Sequence, residues 1–222
     1  MDTSNRFRDL TVAQFVDALA SGEPVPGGGA AAAIAGSLGA ALVAMVANLS
    51  AGRPKYEAHA ALLDRSIPAA QELYDRMLAL ADEDAEAFSG YGAAMKLPRE
   101  TDDDKAARSA AIREAALAAT LSPLKTVEAT LEIVAMAEAL AGRSNKNASS
   151  DLEVAALMSV AACRAAAANV YINLPSLGDE SRARQLYERT EAIADTVERL
   201  AAQTREVVRS GRARDPLPGT RA

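Results

Sequence analysis

Four carboxylates crowd the run Ala81-Asp82-Glu83-Asp84-Ala85-Glu86, and helical spacing sorts them. Leu73, Met77, Leu80, Asp84, Phe88, Tyr91 and Met95 step by three or four and form one stripe. Asp84 therefore sits on an apolar face, whereas Asp82, Glu83 and Glu86 turn away toward water. A carboxylate on such a face must be paired, hydrogen-bonded or protonated, because desolvation penalises its charge. Two uses fit. Asp84 satisfies a neighbouring helix end or an Arg, or it is an acid–base group with a displaced pKa. Asp151 stands in the first turn of a helix, where the dipole and free N–H groups favour an anion, a structural role first of all. Asn169 and Asn173, four apart on an Ala-rich segment, either fix a neighbouring helix or hydrogen-bond a polar heterocycle.

The run Pro24-Val25-Pro26-Gly27-Gly28-Gly29 precedes a long uncharged segment. Glycine permits positive φ and close approach of backbone, and a helix N-terminus that follows directly can receive an anion or polar ligand. No Gly-Lys-Ser/Thr follows, so this is not a phosphate-binding P-loop. Gly27, Gly29 and Ala32 match G-x-G-x-x-A, but a helical rather than a strand pattern precedes them, which removes the dinucleotide reading. A plain tight turn between two helices is the simpler alternative.

Composition narrows the chemistry further. The 222 residues include 24 Lys+Arg and 30 Asp+Glu, for a net charge of −6, which argues against nucleic acid as a partner. One Cys allows no internal disulfide, and one Cys with one His builds no structural zinc site, so no metal is expected. His59 and Cys163 are read as structural. With a single His, acid–base work falls to Asp, Glu, Lys or Tyr.

The elements that position these groups read as helices throughout. About a quarter of the chain is Ala (roughly 53 residues), against 3 Phe, 5 Tyr and no Trp, which favours helix over strand. Thr11 to Gln14 is a capping-box pattern opening a helix to about Ser21, with Val12, Phe15, Val16 and Leu19 on one face. A helix of about 30–50 carries Ala32, Gly36, Gly39 and Ala40, small enough for close helix contact. Pro24 to Gly52 holds no charge, is long enough to span a bilayer, and is read as a buried helix without membrane partnership because it is mostly Ala and Gly. Further helices cover about 57–96, with Pro68 marking a restart or kink, and from Thr101-Asp102-Asp103-Asp104 onward, with Pro123 interrupting before a helix to about Ala141. Gly142 to Ser149 reads as a loop. Ser150 with Glu153 opens a helix to about Leu174, Pro175 and Gly178 stop it, and a last helix covers about 180–209. The expectation is a single all-α domain over 1–222, an orthogonal or up-down bundle with its core at about 10–209 and a tail, 211–222, that frays.

These blocks together resemble the cyclodeaminase/cyclohydrolase family, which includes bacterial methenyltetrahydrofolate cyclohydrolases and the cyclodeaminase domain of formiminotransferase-cyclodeaminase. The agreement lies in Pro26-Gly27-Gly28-Gly29 with the small-residue helix to Asn48, Asp82 to Phe88, Leu97-Pro98, Asn145 to Asp151, and Asn169-Val170-Tyr171-Ile172-Asn173. They occur in order across about residues 15–177. Ser144 departs from the glycine that the family tends to carry before the Asn.

The resemblance implies an all-helical cytoplasmic folate enzyme, a homodimer, with its site near the glycine turn and the acidic helix. The family's acid–base aspartate maps to Asp84 or Asp82, and the stripe favours Asp84. Asp151 joins them as a catalytic candidate. Pro26, Gly27, Gly28, Gly29, Asn145, Asn147, Asn169 and Asn173 become substrate-binding candidates, with Arg53 and Lys55 as partners, by charge, for the glutamate carboxylates. The substrate itself brings a cationic, electrophilic carbon, so no cofactor is expected. The first reading is hydrolysis of 5,10-methenyltetrahydrofolate to the 10-formyl form. Cyclodeamination of 5-formiminotetrahydrofolate is the alternative, and a non-catalytic folate-binding or helical interaction module is a third.

Overall fold

The computed structural model describes residues 6–218. Six long helices are present among them: α1 Val12–Leu19, α2 Gly28–Asn48, α3 Ala60–Met95, α4 Asp102–Leu140, α5 Ser149–Asn173 and α6 Glu180–Ser210, with short 3-10 turns at Phe7–Asp9, Pro54–His59, Lys146–Ala148 and Leu174–Leu177. No strand occurs among the described residues, as expected of so much Ala.

Helices α2 to α5 form a ring of neighbours, and α6 covers the groove between α4 and α5. Successive helices run antiparallel. Gly29 of α2 meets Asp84 of α3 and Gly36 meets Met77; Glu83 and Arg76 of α3 pair with Lys125 and Glu132 of α4; Asn173 of α5 reaches Ala119 of α4. Arg164 of α5 meets Glu191 and Glu198 of α6. Of the two expected topologies, up-down is the one adopted.

The small residues of α2 explain how the ring closes. A Cβ on Gly36 would lie 1.9 Å from Met77 Cε, and one on Gly39 would lie 3.2 Å from the Ala155 carbonyl oxygen. Helix α2 is thus pressed between α3 and α5 at a separation that larger residues forbid. Its apolarity also makes it, with the stretch Lys146–Leu177, one of two helices long and apolar enough to cross a membrane; 61% of the α2 window is buried inside the fold.

Several expectations need correction. Pro123 does not interrupt α4, which runs unbroken from Asp102 to Leu140. A proline cannot donate to the carbonyl four residues back, here that of Ala119, and Asn173 Nδ2 donates to that oxygen instead at 2.8 Å. Helix α5 starts at Ser149 with no side-chain cap, so the Ser150–Glu153 capping box does not form. The boxes at Thr11/Gln14 and Thr101/Asp104 do. The tail does not fray at Gly211: Arg214 N–H donates to the Gly142 carbonyl at 2.9 Å, Arg143 Nε donates to the Asp215 carbonyl at 2.6 Å, and Arg214 pairs with Glu138. Residues 219–222 lie outside the described residues.

Candidate active site

The glycine turn, α3 and α5 converge at one end of the bundle. The Val25–Pro26 peptide is cis, Pro26 is buried, and Gly27 serves as the extended N-cap of α2. None of Gly27, Gly28 and Gly29 has positive φ; among the described residues the glycines that do are Gly52, Gly142, Gly178 and Gly211. What the turn uses is the absence of a side chain. A Cβ on Gly29 would lie 2.2 Å from Asp84 Oδ1 and 2.4 Å from Oδ2, so the carboxylate occupies the space a side chain would fill. A Cβ on Gly28 would lie 3.6 Å from Asn169 Nδ2. The first turn of α2 is therefore flanked by a carboxylate on one side and an amide on the other.

Asp84 is half-buried, on the stripe that its spacing assigns it. Burial pushes its carboxyl above the ordinary value, while a hydrogen bond from the Ala30 backbone N–H works the other way. A group displaced upward is a better proton acceptor at neutral pH than a surface carboxylate. Along the same helix the stripe divides. Leu73, Met77 and Leu80 are core, but beyond Asp84 the side chains of Phe88 and Met95 stand 50% and 46% exposed. Helix α3 overruns the start of α2 by eleven residues, about 16 Å of helix, and gives the site an apolar wall. Tyr91 on this wall lies with its hydroxyl 3.3 Å from Ser176 Oγ; Ser176 carries no motif that would have singled it out.

Other candidates are engaged elsewhere. Asp82 accepts the Phe7 backbone N–H at 2.8 Å, so it holds the N-terminal segment and is not turned freely to water. Asn173 is consumed in supporting α4 and also donates to the Asn169 carbonyl at 2.9 Å. Asn169 Nδ2 donates to the Ala165 carbonyl at 2.8 Å, and its side-chain amide lies beside Gly28 with the nitrogen nearer than the oxygen.

A second group lies at the opposite end. Arg53 and Lys55 follow the C-terminus of α2, and Asn145, Asn147 and Asp151 precede or open α5, which runs antiparallel to it. Asn145 N–H donates to Ser50 Oγ at 2.8 Å, and its side-chain oxygen accepts the Asn147 N–H at 3.1 Å. The 21 residues of α2, about 30 Å, separate these groups from Asp84. One chain therefore does not gather all the candidates around one ligand.

Residues 11–192 match the family described as formiminotransferase-cyclodeaminase. Methenyltetrahydrofolate cyclohydrolase of Methylorubrum extorquens is 40% identical over 200 residues, spanning 90% of this chain and 96% of that protein. Formimidoyltransferase-cyclodeaminase of Sus scrofa is 34% identical over 188 residues, which cover 85% of this chain and 35% of the larger protein. A solved structure of formiminotetrahydrofolate cyclodeaminase from Thermotoga maritima matches with a TM-score of 0.83 at 27% identity, covering 91% of this chain and 98% of that one.

Proposed function

The chain belongs to the formiminotransferase-cyclodeaminase family, and we propose that it hydrolyses 5,10-methenyltetrahydrofolate to 10-formyltetrahydrofolate with Asp84 as the acid–base group. The observation that carries this reading is the Asp84 carboxylate, lodged in the side-chain space of Gly29 with its pKa raised by burial. The match to a cyclohydrolase along nearly the whole of both chains supports the substrate.

The bridging carbon of the methenyl group belongs to a cationic amidinium and is already electrophilic. Asp84, ionised, stabilises that cation and takes a proton from the attacking water as the C–O bond forms. The protonated carboxyl then delivers this proton to the departing ring nitrogen as its bond to carbon breaks. Loss of the hydroxyl proton to solvent leaves the formyl carbonyl, so one proton is released per turnover. The substrate supplies the electrophile, and the reading calls for neither metal nor redox cofactor. The glycine turn and the Asn169 side-chain amide across it are the polar groups that would orient the pterin.

The reading includes a cytoplasmic homodimer. Leu38 and Met45 of α2, Leu49 just after it, and Val154 and Leu157 of α5 are exposed along two antiparallel helices, a face suited to an isologous contact. A two-fold axis across it would bring Arg53, Lys55, Asn145, Asn147 and Asp151 of a second copy toward Asp84, which the 30 Å length of α2 forbids within one chain.

The test is loss of the methenyl-folate ultraviolet absorbance against the buffer rate. A saturable acceleration that Asp84→Asn abolishes in a folded protein upholds the reading; acceleration that survives this variant removes Asp84 from it. The likeness to the T. maritima structure favours a second reading, cyclodeamination. Ammonia release from 5-formiminotetrahydrofolate without methenyl-folate hydrolysis would select it.

A further inference from the structure

At the end of the bundle remote from Asp84, the segment after α6 folds over the turn that opens α5 and encloses a cavity of about 130 Å3. Lys55, Lys146 and Arg212 line it, from three separate stretches of chain, and no carboxylate does. None of the three takes part in an ion pair among the described residues. Local roles account for part of this arrangement. Lys146 Nζ rests over Gly211, at the C-terminus of α6 where a cation is favoured, and Lys55 Nζ stands 5.6 Å from the centre of the Tyr56 ring. Neither role explains why three cations share one cavity in a chain of net charge −6. Like charges that share a cavity disfavour one another, and an anion between them would offset that.

The size and the rest of the lining narrow the ligand. The volume has room for roughly ten water-sized groups, more than an inorganic oxyanion fills. Val207 and Val208 supply an apolar patch for a short methylene stem, and Ser149 is a hydroxyl partner. We propose that this cavity binds a small organic dianion, a dicarboxylate or a phosphate monoester, at a site remote from Asp84 of the same chain. The anion would also link the post-α6 segment, which carries Arg212, to the turn and first residue of α5, which carry Lys146 and Ser149. The inference rests on the cavity and its charges and does not depend on the folate reaction.

Titration calorimetry on the intact chain tests it, with glutarate and glycerol phosphate as dianions and acetate as the monoanion control. The expected result is saturable binding of at least one dianion, tenfold or more tighter than acetate and weakening as sodium chloride is raised. Lys146→Gln and Arg212→Gln, checked for native helicity, should each weaken that binding about tenfold. No saturable binding of either dianion, or binding that both variants retain in full, overturns the proposal. Displacement of the bound dianion by a folate with additional γ-glutamyl units identifies the ligand as a substrate tail. Its failure to displace identifies a separate metabolite.

Discussion

Asp84 meets opposing demands. The proposed hydrolysis needs it ionised when water attacks, yet its surroundings favour the neutral form. Activity should therefore rise with pH through a pKa above the ordinary carboxylate value and fall away below it, in a kcat/KM profile. Asp84→Asn should lower kcat by about 10²–10⁴. The same variant should be at least as stable as the wild type at neutral pH. The folded state holds the Asp84 proton more tightly than the unfolded chain does, so stability declines as pH rises from the unfolded pKa through the folded one. Asn carries no such loss, and a melting curve at pH 7 beside one at pH 4 should show the two proteins converging on the acid side. Gly29 is the complementary test. Gly29→Ala places a methyl where the carboxylate lies, and a displacement of about 1 Å in a reacting group can cost a hundredfold in rate. We expect kcat to fall at least that far with helicity unchanged by circular dichroism. Asp84 was legible in the sequence because a 3.6-residue period needs only local information. Gly29 was legible as special but for an incomplete reason, since positive φ plays no part there and close approach does.

At the scale of the helix, prolines and amides trade places. Helix α4 runs unbroken through Pro123, and Asn173, fifty positions later in the chain, gives the Ala119 carbonyl the donor that proline lacks. The sequence pattern marks both residues, but only the packing of α5 against α4 connects them. A motif amide suited to a ligand is thus also a backbone prop. Asn173→Ala should leave the Ala119 carbonyl without that partner and cost about 1–3 kcal/mol of stability. Chemical denaturation should show it as a lower midpoint with an unchanged slope, and KM should hold if Asn173 does not touch substrate. The tail was misread for a similar reason. Nothing local in residues 211–217 indicates order, and the partners that fix it, Gly142, Arg143 and Glu138, lie about seventy positions upstream.

At the scale of the molecule, α2 and α5 each bury one side and leave the other uncharged. A lone surface helix normally presents charge to water, and α1 shows the same anomaly, with Val12 exposed at 83% on the apolar face that its spacing sets out. If the α2 and α5 faces meet in a dimer, Leu157→Glu should drive the protein toward monomer in sedimentation or light scattering. Activity should fall with the dimer if Arg53, Lys55 and Asp151 act on the folate from a partner, as the proposed dimer would have it. A monomeric variant with full turnover would show that one chain suffices. All-helical architecture and helix order could be read from Ala content and spacing. The division of the site candidates between two ends could not, because it follows from the antiparallel run of α2 and α5 rather than from any motif.

The Pro123–Asn173 contact also constrains inheritance. A lineage that exchanges Pro123 for a residue with a backbone N–H restores the missing donor, and Asn173 can then drift at little loss. A lineage that loses Asn173 first inherits an unsatisfied carbonyl. The order of the two changes is therefore asymmetric: descent should pass through the loss of the proline, and relatives retaining proline at that position should retain an amide at its partner.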